Sequence, residues 1–168
     1  PNRKKAQRKA QWGVDPPMKT EPGFHWIESN TEQAHLLYGI PSPVRTSRER
    51  ISSIMLQQYL GGGMSSVLFD QIREKKGWAY TIYANAVHFM DASIFIVYAG
   101  IQSDKILATV NVMQRELKKV AREGLPSSEL SRIKDSLIYS FKLSMESSES
   151  RMMSASTAEL FYKKDMSF

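Results

Sequence analysis

The sequence contains no cysteine, which removes disulfide bridges, thiolate metal sites and cysteine nucleophiles together. No apolar run approaches the roughly 18 residues that a bilayer-crossing helix needs, and no membrane partner is expected. Histidine is scarce: only His25, His35 and His88 occur. Charge of one sign is also thin outside a single stretch. The net charge is +6, but Arg3, Lys4, Lys5, Arg8 and Lys9 supply five of it without an acid among them, leaving about +1 for the rest. No aromatic platform accompanies that charge, so it reads as a solvated linker, and a nucleic-acid partner is not expected.

What remains is an ordinary globular composition, 42% hydrophobic and 24% charged over 168 residues, enough to bury one core. The chain opens on Pro1 rather than methionine, and Glu159 to Phe168 still reads as helix at its end. Both ends give the expectation of a piece cut from a longer polypeptide. Residues 1–30 form a basic lead-in or linker containing Pro16, Pro17, Pro22, Gly13 and Gly23, which punctuate the backbone against regular structure. Residues 31–168 are expected to form one domain, truncated at its C-terminal end.

Within that domain, Gln33 to Ile40 is a compact apolar stretch closed by Pro41 and Pro43, which predicts a buried strand. Ser47 can cap a helix carrying Ile51, Ile54, Met55 and Tyr59 at helical spacing. Gly61, Gly62 and Gly63 must end it, since glycine loses too much backbone entropy in a helix. A second helix is expected over Met64 to Lys75, stopped by Gly77. Trp78 to Phe89 and Ala92 to Ile101 predict a hairpin turning at Met90-Asp91. Ile94 to Val97 is apolar at every position, which predicts a strand covered on both sides. A long helix follows from Ser103 or Asp104, its stripe made by Leu107, Val110, Met113, Leu117 and Val120. Another runs from Ser127 with Leu130, Ile133, Leu137 and Phe141 inward, and a last one holds Met152, Met153, Leu160 and Phe161. The order predicts an α+β protein, a mainly antiparallel sheet packed against several helices.

The run LGGGMSSVLFDQIREKKGWAYTIY, Leu60 to Tyr83, carries the most specific signal. It resembles the signature region in the C-terminal half of the insulinase and mitochondrial processing peptidase family. There a glycine-rich turn leads into a helix ending in an arginine, and a glycine and a tyrosine follow. EQAHLLYGIP, IFIVYAGI, EGLPSSELSRIKDSL and the SMESSESRM run resemble the family too, in order, over roughly Thr31 to Phe161. A glycine triplet alone would be weak; the ordered series is strong.

The resemblance implies one half of a clamshell zinc endopeptidase of the processing-protease type. Its N-terminal half would carry H-x-x-E-H and a zinc ion. This half would lack the motif, bind no cofactor and be inactive alone. It would hold an extended peptide through Arg73 and Tyr80, which match the family's arginine and tyrosine. It also implies partners: the peptide, a complementary zinc-bearing half or subunit, and a dimer of the parent protein. A cytoplasmic location is expected, with periplasm or organelle matrix as alternatives. The other reading is a metal-free partner subunit of a heterodimeric peptidase, or a structural core-type subunit.

Residue chemistry leaves the pair's role open. Arg73 falls in the last turn of a helix and Tyr80 three residues into a strand, so both can approach one carbonyl. Yet a helix-terminal arginine often only satisfies carbonyls, and a strand tyrosine often packs in a core. Gly61, Gly62 and Gly63 match a glycine-rich loop tied to substrate handling in the family's non-catalytic mitochondrial subunit. The plainer reading is a turn needing positive φ and close packing. His25-Trp26-Ile27-Glu28-Ser29 imitates H-x-x-E but has Ser29 where the second histidine belongs, in a segment without helical pattern, so no metal site is expected. Val67 and Trp78 depart from the family, standing where an arginine and a leucine are usual.

Overall fold

The computed structural model describes residues 21–162; the basic stretch at residues 3–9 and the last six residues lie outside them. Residues 21–30 follow an exposed path without regular structure. Three strands then form one antiparallel sheet: β1 (Ala34–Pro41), β2 (Ala79–His88) and β3 (Ser93–Ile101), in the order β1-β3-β2. The helices are α1 (Arg50–Gly61), α2 (Ile106–Glu123), α3 (Ser127–Ser144) and α4 (Ser148–Thr157), with π-helical turns at Phe69–Glu74 and Ala158–Tyr162. This is the α+β arrangement that the alternation of patterns predicts.

The core lies on one face of the sheet. Alternation along β3 sends Phe95, Val97, Ala99 and Ile101 to that face, opposite Leu36, Tyr38 and Ile40 of β1 and Ile82, Ala84 and Ala86 of β2. Tyr59 and Leu60 of α1, Leu68, Ile72, Met113 of α2 and Ile133 of α3 close over them. Leu60, Leu68, Ile72 and Met113 are completely buried. Each such side chain contributes roughly 1.5–3 kcal/mol relative to exposure.

The other face corrects an expectation. Leu37, Ile94 and Tyr83 point away from the helices and stay exposed, and Tyr83 stacks on Tyr98 at 5.0 Å between centroids. Among the described residues the helices pack on one side only, so the apolar Ile94 to Val97 tract is covered on a single face. Period-two alternation cannot distinguish a covered apolar face from a bare one.

Element ends differ in detail for local reasons. Ser47 is not the helix cap: α1 starts at Arg50 with Glu49 in the cap position, and the Ser47 Oγ accepts the Glu49 N–H at 3.1 Å in the preceding turn. The hairpin connection holds four residues, 89–92, closed by the Phe89 N–H donating to the Ala92 carbonyl at 3.0 Å. In α2 the inward residues include Thr109, Val112, Met113 and Glu116, while Leu107 faces solvent; Phe141 of α3 is likewise exposed.

The α1–β2 contact fixes the site's surroundings. Gly61 is buried at the C-terminal end of α1, and a Cβ there would fall 2.1 Å from the Ala84 backbone nitrogen. Gly61→Ala is therefore expected to lower the midpoint of chemical denaturation by about 1–3 kcal/mol equivalent, the usual cost of overpacking. Ser65→Ala, exposed in the same connection, should stay within about 0.5 kcal/mol. Equal midpoints for the two variants would dismiss this contact as a determinant of the fold.

Candidate functional site

After the glycine turn, helix resumes at Val67 and widens into the π-helical turn at Phe69–Glu74. The Lys75 N–H reaches back five residues to the Asp70 carbonyl at 2.9 Å, the i→i+5 pattern of a π turn. The expected helix over Met64 to Lys75 is thus shorter and wider than its apolar spacing indicates. Two bonds then close it, Gly77 N–H to the Arg73 carbonyl at 3.0 Å and Trp78 N–H to the Ile72 carbonyl at 3.1 Å. Gly77 takes φ +63, a left-handed conformation that suits glycine at a helix end.

The strand that follows contains a second irregularity. Ala79 pairs with Ile101 and Thr81 with Gly100, so one residue of β2 is extra and the register shifts between them. That residue is Tyr80. By parity it belongs with Ile82 and Ala84, which are buried, and a regular strand would drive its ring into the core. The bulge gives the inward position to Ala79, 6% exposed, and leaves Tyr80 at 73%. Bulges commonly re-aim a side chain in this way.

These two irregularities bring the predicted pair together. The Arg73 guanidinium carbon lies over the Tyr80 ring at 5.8 Å from its centroid and over the Phe69 ring at 4.8 Å, distances at which a cation is attracted to a π face. Arg73 and Tyr80 are both exposed. Among the described residues no carboxylate comes within 4.0 Å of the guanidinium; the nearby Asp70 pairs instead with Lys75 at 2.6 Å. Lys76 is drawn over Trp78 at 4.5 Å. The pair therefore presents guanidinium N–H groups and a phenol O–H side by side, without a protein carboxylate claiming the charge. Such donors can serve a carbonyl oxygen. A recess of about 260 Å³ opens beside Tyr80, lined in part by Trp78, Glu32, Gln33 and Gln102.

Gly61, Gly62 and Gly63 each have a local explanation. Gly61 permits the close approach to β2. Gly62 closes α1 by donating its N–H to the Gln58 carbonyl at 3.2 Å, and a Cβ there would fall 2.6 Å from the Gln58 Cα. Gly63 adopts φ +139. Ser66 then donates its hydroxyl to the Gly63 carbonyl at 2.6 Å and anchors the turn.

No group of three or more His, Asp or Glu side chains among the described residues could hold a metal ion. The His25 to Ser29 imitation lies in the exposed irregular segment. His35 Nδ1 lies 2.8 Å from the Tyr98 hydroxyl, and His88 donates its Nδ1–H to the Pro43 carbonyl at 2.8 Å. The residue that sequence reasoning passed over is Phe69. Its spacing of four from Arg73 places the two on one helical face, but an apolar residue in that run reads only as core.

Comparison with known proteins agrees with this reading of the fold. The family model of the peptidase M16 inactive domain matches residues 1–137. An uncharacterized zinc protease of Streptomyces coelicolor is 37% identical over 141 residues, covering 84% of this chain and 31% of that protein. The uncharacterized zinc protease YmxG of Bacillus subtilis is 34% identical over 149 residues, covering 86% of this chain and 36% of that protein. The chain thus spans about a third of the length of these relatives. Among solved structures, a protease from Helicobacter pylori superposes with a TM-score of 0.72 at 22% identity, over 79% of this chain and 32% of that one. A peptidase M16 inactive domain from Pseudomonas fluorescens gives 0.69 at 21%, over 79% and 32%. At those identities the likeness is one of fold.

The bulge makes a direct prediction about stability. Tyr80→Ala should cost no more than about 1 kcal/mol, the worth of an exposed cation–π contact. Ile82→Ala, two residues further along the strand, should cost about 2–5 kcal/mol as a core truncation. Comparable losses in denaturation midpoint would place Tyr80 inside the core and remove the bulge's role.

Proposed function

The chain belongs to the peptidase M16 inactive-domain family, and from that premise we propose that it forms the substrate-holding, metal-free wall of a zinc-dependent endopeptidase. The observation that carries this reading is the convergence of Arg73 and Tyr80, exposed and facing each other at 5.8 Å across a helix end and its following strand. A chain reversal and two backbone irregularities spent on exposing one arginine and one tyrosine make little sense as packing. They make sense as donors held ready for a ligand.

An extended peptide passing this wall offers backbone carbonyls. The Arg73 guanidinium donates N–H bonds and bears a fixed positive charge, and the Tyr80 hydroxyl donates a second bond alongside. Together they would hold one stretch of substrate backbone in a single orientation, which lowers the entropy lost on reaching the reactive geometry. Peptides and unfolded protein segments are the substrates that expose carbonyls in this manner. Zinc chemistry would come from a complementary half, in the same polypeptide or in a partner subunit; among the described residues no cluster of His, Asp or Glu side chains could hold a metal ion.

Arg73→Ala and Tyr80→Phe, made in the protein assembled with its zinc-bearing half, are each expected to slow cleavage of an extended peptide about ten- to a hundredfold. For Arg73 that range follows from charge-assisted hydrogen bonds worth about 1.5–3 kcal/mol, and Tyr80→Phe should fall at its lower end, since a neutral hydrogen bond is worth about 0.5–1.5 kcal/mol. The chain alone, supplied with zinc, is expected to cleave nothing. Unchanged rates in both variants would remove the assigned role.

A further inference from the structure

We infer that Phe69 is a positioning residue for Arg73: a buried aromatic floor that holds the guanidinium at the working position beside Tyr80. The inference rests on the substrate-holding reading above and adds a residue to it.

An arginine side chain has four flexible torsions and substantial rotamer entropy. Exposed at the end of a helix, it would sample a wide cone and meet a substrate carbonyl only part of the time. Arg73 has no carboxylate to restrain it among the described residues, and the neighbouring acid, Asp70, is engaged by Lys75. Its nearest aromatic neighbour is the Phe69 ring, 4.8 Å from the guanidinium carbon against 5.8 Å for Tyr80.

The two rings differ in firmness. Tyr80 is 73% exposed, whereas Phe69 is 9% exposed and belongs to the central core cluster. Phe69 is therefore the fixed surface and Tyr80 the freer one. A carboxylate could also restrain the guanidinium, but it would occupy the N–H groups and neutralise the charge. An aromatic face restrains the plane of the cation while leaving its edge donors free. For a group that must donate to a carbonyl, the face is the better restraint.

Phe69→Leu keeps a large apolar side chain in the core and removes only the π face. In the protein assembled with its zinc-bearing half, it is expected to reduce kcat for an extended peptide about three- to tenfold with little change in KM. Phe69→Tyr, which restores a ring, should recover most of the loss. In an Arg73→Ala background Phe69→Leu should have no further effect, because the group it positions is gone. An equal loss in both backgrounds, or a loss that Phe69→Tyr fails to recover, would make Phe69 a packing residue only and overturn the inference while leaving the Arg73 role standing. A normal rate in Arg73→Ala itself would overturn both.

An independent readout does not use activity. In wild-type protein the Arg73 side-chain Nε–H proton should be shifted upfield by the Phe69 ring current, and Phe69→Leu should return it toward the random-coil position. Absence of that shift at a preserved denaturation midpoint would also overturn the inference.

Discussion

Ile72 and Ile82 are both buried in the core, and the chain between them must leave a helix, reverse and enter a strand without pulling either one out. Gly77 supplies the reversal, with a positive φ that relieves the steric penalty other residues meet there. The segment on each side then carries a departure from regular geometry, a π turn before the glycine and a bulge after it. Each departure uses a residue that the regular element would not need. The result is that Arg73 and Tyr80 emerge next to each other while Phe69, Ile72, Ala79 and Ile82 stay inside.

That arrangement explains how an exposed pair can be held firmly on a small domain. Neither Arg73 nor Tyr80 is anchored by its own burial. Both are anchored by neighbours that are: Phe69 and Ile72 on the helical side, Ala79 and Ile82 on the strand side. The α1–β2 contact at Gly61 lies on the same strand, two residues past Ile82 at Ala84. The glycine turn therefore contributes to the site by fixing β2, without any need to touch a substrate. Support from rigid elements, rather than from loops, is what keeps a binding geometry within tolerance.

The sequence made the fold legible wherever one period dominated. β1, β3, α2 and α3 follow from apolar spacing and from the punctuation at Gly124 and Pro126, although β1 is an edge strand with alternate residues exposed and not the buried strand expected. The hairpin follows from its two apolar runs. Legibility failed where the same pattern serves two environments. Ile94, Ile96 and Tyr98 are as apolar as Phe95 and Val97, yet only the second pair meets the helices. Leu107 lies on the opposite side of α2 from Thr109, Val112, Met113 and Glu116, and Phe141 is exposed although it continues the spacing of Ile133 and Leu137. At the candidate site, Arg73 and Tyr80 are nominated by resemblance. Their geometry was not legible, because hydrogen-bond register in a π turn and a bulge leaves no mark in composition. A trace of it did exist: Tyr80 shares the parity of Ile82 and Ala84, so a large polar-tipped ring at an inward position was already in conflict with a regular strand.

The residue types at this junction would also suit the proposed division of labour between two halves of a protease. Arginine has five donors and no lone pair to offer, and it stays charged at any working pH. Tyrosine in its neutral form is chiefly a donor toward a carbonyl. A surface built from these two groups can receive the oxygen of a peptide but is a poor zinc site, since zinc is held chiefly by imidazole, thiolate and carboxylate. The imidazoles that could have supplied such ligands are placed elsewhere: His35 sits against Tyr98 on the open face of the sheet, and His88 is turned to the Pro43 carbonyl near the hairpin end. Holding a carbonyl and holding a metal ask opposite things of a side chain. On the proposed reading, an exposed helix–strand junction built from donors would suit a peptide carbonyl, and the metal would sit on a surface of different composition.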